Sequence, residues 1–347
     1  MLDALVNQLT RGESLSREQV PAAICDLIEP GLSAELKADF LTAFAKKGET
    51  TDEIAAFANE FRLRSIQPPI DLETRQREIL DVCGTGGDCL NTFNISTTVA
   101  FIAAAAGVPV AKHGNRAITS QTGSADVLEA LGVPIDLTPE DAGHSLQEHG
   151  FAFFFAPKYH PVFQHLGPAR KLCALRGQRT IFNILGPLLN PARPTVQLVG
   201  VPNARLCEPI ARVLQCLGTR RAMVVSGRVG EACLDELSGL GENTIAEFYH
   251  DRGFTVSVCQ PDDFPFQPVT LEDLRGGTRE ANAEIIKRIL SGRERGAKRD
   301  AVLFNAGAAL LVAGKVKSIA EGWEMATETI DSGSAAARLE ALATSKQ

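Results

Sequence analysis

The sequence predicts an α/β protein with a small N-terminal all-helical domain and a larger domain whose mainly parallel central sheet is flanked by helices. Three observations carry that expectation. The first 66 residues show only helical periodicity and helix caps, Gln67-Pro68-Pro69 then interrupts the chain, and beyond it short β-prone runs alternate with helical stretches. At 347 residues the chain also exceeds the size at which a single core stops growing, so two units are the default.

Each element has a local reason. Ser16 with Gln19, and Thr50 with Glu53, fit a capping box, in which two side chains reciprocally satisfy orphan amides at a helix start. Leu36, Phe40 and Phe44 share one helix face and Gly48 follows as a stop, while Ile54, Phe57, Ala58 and Phe61 repeat at i, i+3, i+4, i+7. Proline lacks an amide and restricts the residue before it, so the linker falls at Gln67-Pro68-Pro69. The expected domains are therefore 1–66 and 72–347. In the second, Ile79 to Cys83, Val108 to Ala111, Phe151 to Phe155, Val196 to Val201 and Ala222 to Ser226 are the expected strands. Helices are expected near 96–106, 124–131, 139–149 and 203–217. That alternation argues for βαβ units. Residues 244–260 read as an antiparallel pair at a sheet edge, and the chain from 279 onward as helical.

Composition narrows the function classes. With 44% hydrophobic and 22% charged residues, fibrous and disordered classes drop out. A net charge of -7 argues against a protein that coats nucleic acid, because phosphate neutralisation needs a basic face. The most apolar stretch, Val99 to Ala111, is far short of the roughly 20 residues a spanning helix needs. No basic segment precedes an apolar run at the N-terminus, so a cytoplasmic protein without membrane association is expected. Eight cysteines form no CxxC pair and no zinc-like cluster, and are expected to be reduced and mostly buried. His144 and His149 fall on different faces of one helix and read as structural.

In open α/β sheets, ligands bind where strands end and helices begin. The first such turn is Gly84-Thr85-Gly86-Gly87-Asp88, where backbone without side chains can approach an anion and point amides at it. It is not a dinucleotide GxGxxG, because Cys89 stands where the last glycine would be, nor a Walker loop, because no Gly-Lys-Ser/Thr follows. Read alone, it fits a plain tight turn as well as a phosphate site, and Asp88 would repel a phosphate unless a hydroxyl or metal intervened. Asn94-Ile95-Ser96-Thr97-Thr98 then puts three hydroxyls and an amide at the first turn of a helix, where the dipole favours negative charge. Simple N-capping by Asn94 or Ser96 is the competing reading. Lys112-His113-Gly114-Asn115-Arg116 is expected as a turn carrying two permanent cations, an imidazole and a carboxamide. Gly123-Ser124-Ala125-Asp126 opens the next helix with a further hydroxyl. Asp235-Glu236 offers adjacent carboxylates, which beside a polyphosphate would suit Mg²⁺. Together these turns favour a ligand carrying several phosphates.

These motifs, with Arg179 to Pro191 (RTIFNILGPLLNP) and Gly123 to Gly132 (GSADVLEALG), resemble the anthranilate phosphoribosyltransferase family over essentially the whole chain. The resemblance implies transfer of 5-phosphoribose from 5-phosphoribosyl diphosphate to anthranilate, the second step of tryptophan biosynthesis. It further implies Mg²⁺ (two ions per subunit), a homodimer, and a helical domain joined by part of the 159–190 region, with the active site at the hinge. By the same resemblance, Gly84, Gly87, Asp88, Thr92, Asn94, Ile95, Ser96, Thr97, Lys112, Ser120 and Ser124 contact phosphoribosyl diphosphate. Ser96, Asp235 and Glu236 hold metal, and Gly84, His113, Asn115 and Arg170 meet anthranilate, the arginine facing its carboxylate. No acid or base is expected; Lys112, His113 and Asn115 position the reactants.

Two features depart from the family pattern. Cys89 replaces a glycine, and the segment KLCALRGQ between Arg170 and Arg179 is about three residues longer, close to one helical turn, which leaves Arg176 and Arg179 as substitutes for Arg170. Two other readings compete. A pyrimidine nucleoside phosphorylase would share the fold and the KHGNR-like and GSAD-like segments, but not the intact GTGGD, the RTIFNILGPLLNP segment and the Asp-Glu pair. A non-catalytic nucleic-acid-binding relative would have lost the GTGGD loop, which is intact here.

Overall fold

Capping and apolar spacing set the N-terminal layer. In the computed structural model, which describes residues 1–117, 121–249 and 253–344, helices α1 (Leu2–Thr10), α2 (Gln19–Ile28), α3 (Ala34–Lys47) and α4 (Thr51–Leu63) precede the prolines, and the short α5 (Leu72–Gln76) follows. At α4, Thr50 Oγ1 accepts from the Glu53 N–H at 3.2 Å while the Glu53 carboxylate accepts from the Thr50 N–H at 2.8 Å. Ser16 and Gln19 make the same reciprocal pair, at 2.7 and 3.4 Å, but it closes a turn ahead of α2, which begins only at Gln19. Pro21 explains the shift, because a helix begun at Arg17 would need the amide that proline lacks. Gly48 ends α3 with a φ of 88°, and Phe40, Phe44, Phe57 and Phe61 are fully buried.

The second unit alternates strand and helix: β1 (Leu80–Gly84), α6 (Ile95–Ala105), β2 (Val110–Gly114), α7 (Ser124–Ala130), α8 (Pro139–His149), β3 (Phe151–Phe155), α9 (Ala156–Tyr159), α10 (Gly167–Leu175), β4 (Val196–Gly200), α11 (Cys207–Cys216) and β5 (Arg221–Val229). Then come β6 (Ala232–Leu234), β7 (Asn243–Tyr249), β8 (Phe254–Cys259) and four helices, α12 (Arg279–Leu290), α13 (Ala297–Val312), α14 (Ile319–Asp331) and α15 (Ser334–Thr344). The strand order is β3-β2-β1-β4-β5-β7-β8, with β6 paired to β5. From β3 to β5 the strands are parallel, and β6, β7 and β8 are antiparallel. The expected edge pair is thus β7–β8, with 250–252 outside the described residues. No described helix is long and apolar enough to cross a membrane.

Two apolar layers sandwich the sheet. One packs α6 and α12–α15 against it; Val99, Phe101, Phe304 and Leu310 are fully buried there. The other joins α1–α4 and α11 to Leu166, Ala169, Cys173, Ile181, Leu185 and Leu188. Phe61 stands 4.8 Å from Phe163 and 5.8 Å from Phe182, ring centre to ring centre, so the 159–190 region is packed on the N-terminal helices. The cysteines depart from expectation. All eight are free, yet only Cys173 and Cys207 are buried, and Cys25, Cys89 and Cys216 are exposed.

Candidate active site

Parallel strands deliver their C-terminal ends to one edge, and there a cavity of about 290 Å³ opens. Its walls are the Gly84–Asn94 loop, the first turn of α6, the end of β2 with the following loop, and Asp235–Glu236. Of the residues expected to touch phosphoribosyl diphosphate, all line it except Ser120, which lies outside the described residues.

Strand alternation sorts the basic segment, and here the expected turn is corrected. Lys112 and His113 belong to β2 and are buried, because apolar flanks carry the strand on to Gly114. Successive strand residues point to opposite faces. Lys112 Nζ therefore reaches the α6 side, donating to the Val82 carbonyl at 2.6 Å and to Ser96 Oγ at 3.3 Å. His113 faces the helical layer, its Nδ1 3.2 Å from the Gly186 carbonyl oxygen, and stacks edge-on against His160 at 5.3 Å. Burial pushes the His113 imidazole down to about 3 and depresses Lys112. Arg116 does lie in the loop, but its guanidinium pairs with Asp126 at 3.0 Å and Glu129 at 3.2 Å, which removes it from the anion-binding tally.

The acidic pair occupies the floor. The return of β6 along β5 carries Asp235 onto the ends of β1 and β4, where Gly84 and Gly200 are partnered in register. A Cβ on Gly84 would stand 2.1 Å from Asp235 Oδ2, and one on Gly200 would stand 1.5 Å from the Asp235 carbonyl oxygen. Only glycine permits that approach. Asp235 Oδ2 accepts from the Gly86 N–H at 2.7 Å, and Glu236 Oε1 accepts from the Ser96 N–H at 3.2 Å, so both anion-seeking segments turn an amide toward the carboxylates. Loss of hydration, then the proximity of Asp88, raises Asp235 far above the usual carboxylate range; loss of hydration and Asp235 do the same to Glu236. The negative charge gathered here therefore exceeds what Lys112 balances. Hard oxygens in this arrangement fit a small divalent cation. Among the described residues, no group of three His, Cys, Asp or Glu side chains is placed to hold one ion.

A second cavity, of about 360 Å³, separates the glycine loop from the helical layer. Thr85, Gly86 and Gly87 form the wall common to both. Arg170 lines it, half-buried, with its guanidinium 5.2 Å from the Phe182 ring centre. Arg176 turns outward to Asp39 at 2.7 Å, and Arg179 donates to the Gly87 carbonyl at 3.3 Å. Of the three, Arg170 alone has no oxygen partner among the described residues.

The family models agree along the chain. The helical bundle domain of a glycosyl transferase family matches residues 4–64, and its a/b domain matches 76–336. The anthranilate phosphoribosyltransferase of Geobacter sp. (strain M21) is 44% identical over 353 residues, spanning 99% of this chain and 98% of the relative. The chain belongs to the anthranilate phosphoribosyltransferase family. The crystal structure of the Thermus thermophilus anthranilate phosphoribosyltransferase superimposes with a TM-score of 0.88 at 40% identity, covering 98% of each chain. That of Saccharomyces cerevisiae, in complex with PRPP and Mg, does so with 0.86 at 27% identity, over 98% of this chain and 96% of that one.

Against the pattern of anthranilate phosphoribosyltransferases, Cys89 now has a conformational account. Its φ is 59°, in the left-handed region that glycine enters freely and that an L side chain enters at about 1–2 kcal/mol. Sequence reasoning missed Gly200, which lies against the Asp235 backbone, and Thr122, which lines the first cavity, neither of them part of a phosphate motif. Gly200 carried one signal, a glycine at the end of a strand, which marks close approach of another backbone.

Proposed function

We propose that this chain transfers the 5-phosphoribosyl group of 5-phospho-α-D-ribose 1-diphosphate to the amine of anthranilate, releasing diphosphate. This is the second step of tryptophan biosynthesis, carried out with Mg²⁺ by a cytoplasmic homodimer. The observation that carries this reading is the pair of cavities meeting at Thr85–Gly87, one holding the Asp235–Glu236 carboxylates and the other the Arg170 guanidinium over the Phe182 ring. The helical unit 1–66, joined by part of 159–190, is one domain and 72–347 the other, so the reactants meet at their hinge.

Each residue has a physical task. Asp235, Glu236 and the Ser96 hydroxyl would hold Mg²⁺, and the charge of Asp88, Asp235, Glu236 and a diphosphate supports two ions per subunit. When bound, Mg²⁺ supplies electrostatic stabilisation of the charge that grows on the departing diphosphate. Lys112 orients Ser96 by its 3.3 Å hydrogen bond and lowers the negative potential of the floor. The Gly84–Asp88 loop and the Asn94–Thr97 turn place backbone amides and the α6 dipole toward the phosphates, with Thr92 and Ser124 at the rim. His113 stays neutral at physiological pH, so from the wall of the first cavity it, with Asn115, positions the reactants where the two cavities meet rather than moving protons. No proton transfer is needed at the start, since an aromatic amine is already a neutral nucleophile. Catalysis is then positioning and leaving-group electrostatics.

Arg170 is assigned the anthranilate carboxylate, in a planar bidentate pair. Arg170→Ala is expected to raise KM for anthranilate by roughly tenfold or more with little change in KM for phosphoribosyl diphosphate, and Arg170→Lys to recover only part, because an ammonium lacks the fork. Steady-state kinetics with each substrate varied in turn checks this. For the reading as a whole, product analysis with anthranilate plus phosphoribosyl diphosphate should give N-(5-phosphoribosyl)anthranilate. Phosphorolysis of thymidine instead would favour a pyrimidine nucleoside phosphorylase.

A further inference from the structure

The segment carrying Asn91 to Asn94 is braced from behind by residues far along the chain. Phe93 N–H donates to the Leu274 carbonyl at 3.1 Å, Gly276 N–H donates to the Asn91 carbonyl at 2.9 Å, and Thr92 and Arg275 form an isolated antiparallel bridge. Beyond that bridge, four hydrogen bonds close a ring. Gly277 N–H donates to Asn282 Oδ1 at 2.8 Å, and Asn282 Nδ2 donates to Asn94 Oδ1 at 2.9 Å. Asn94 Nδ2 donates to the Thr122 carbonyl at 3.1 Å, and Thr122 Oγ1 donates to the Gly277 carbonyl at 2.8 Å. Asn282 is 2% exposed and Thr122 6%, while Asn94 and Gly277 are half-buried, so the ring is sealed on the Asn282 side and faces the cavity on the other. A Cβ on Gly276 would stand 2.8 Å from Asn282 Oδ1 and 2.9 Å from Phe93 Cα, so the brace is in close contact on both sides.

The ring accounts for an anomaly at α6. Asn94 occupies the N-cap position, yet its side chain makes no capping bond. Its carboxamide instead ties the start of α6 to Thr122, two residues before Ser124. Both tied segments line the phosphate cavity, whereas Asn282 does not reach it.

We propose that Asn282 is a positioning residue for the phosphoribosyl diphosphate site. It acts through Asn94, fixing the orientation of that carboxamide and with it the spacing between the Asn94–Thr97 turn and the Thr122–Ser124 segment. The inference rests on the proposed function. Asn282→Asp is the informative change because it keeps the shape and the acceptor for Gly277 but removes the donor. Whichever way the Asn94 carboxamide then turns, one oxygen faces another, at the introduced carboxylate or at the Thr122 carbonyl.

The expected result for Asn282→Asp is a rise of about tenfold in KM for phosphoribosyl diphosphate and in its calorimetric Kd, with KM for anthranilate and kcat within about twofold of wild type. A purely structural role would instead lower kcat in proportion to the loss of folded protein and leave both KM values unmoved. If the aspartate variant does not accumulate, Asn282→Ala removes the link to Asn94 without introducing a charge, and the same split is expected. Wild-type protein that binds phosphoribosyl diphosphate beside a variant that binds it equally well would overturn this inference alone. Wild-type protein that binds none would overturn the proposed function with it.

Discussion

Asp235→Asn combined with Glu236→Gln is expected to lower kcat by about 10²-fold or more at any Mg²⁺ concentration, a loss of at least one well-placed electrostatic stabiliser. The same variant should be as stable as the wild type in the absence of Mg²⁺, or more so. Both carboxylates are held well above their ordinary range, Asp235 by loss of hydration and then Asp88, Glu236 by loss of hydration and then Asp235. A carboxylate raised on folding costs nothing below its unfolded value near pH 4, and its penalty grows as pH climbs to the folded value and stays complete above it. The amides mimic the protonated state. Any gain in Tm should therefore be full at mildly alkaline pH, shrink on acidification, and disappear in wild-type comparisons once Mg²⁺ is supplied. Calorimetry over pH with and without Mg²⁺ measures this. A site that the fold destabilises and the ligand relieves is one kept for function.

Gly200→Ala should be nearly as damaging although it adds one methyl group and touches no substrate. That methyl would overlap the Asp235 carbonyl oxygen at 1.5 Å and its carbon at 2.2 Å, both backbone atoms that no rotamer can clear. The Asp235–Glu236 segment must move, and displacement of a catalytic group by about 1 Å costs about 10²-fold. Overpacking should also remove about 1–3 kcal/mol of stability, read from urea unfolding. Gly167→Ala serves as the control: its φ is -52° and no atom lies within 4 Å of the added methyl, so activity and stability should hold.

Local rules were legible in the sequence. Gly48, the Thr50–Glu53 box and the apolar face of Ile54, Phe57, Ala58 and Phe61 act within one or two helical turns, and all are found as expected. Strand and helix alternation likewise led to the parallel sheet and its edge pair. What eluded the sequence was set by tertiary contact. Lys112 and His113 looked like loop residues because charge is rare in buried strands, and only the packing of β2 between β1 and β3 shows them directed to opposite faces. Arg116 looked like an anion ligand because its partners, Asp126 and Glu129, lie ten and thirteen residues away. The Asn94 amide looked like a helix cap, and its partner Asn282 is 188 residues distant, beyond the reach of any motif. The shift of the Ser16–Gln19 box, by contrast, was legible in principle, since Pro21 already forbids the earlier start.

The central claim is that the Gly84–Asp88 loop, the α6 N-terminus and Asp235–Glu236 together form a metal-assisted diphosphate site whose acceptor enters from the Arg170 side. The most direct test follows anthranilate fluorescence in the presence of purified protein, omitting phosphoribosyl diphosphate and Mg²⁺ in turn. The account predicts loss of anthranilate signal only when both are present, with diphosphate released in equal amount. Consumption that persists after Mg²⁺ is chelated, or no consumption with both supplied, would contradict it.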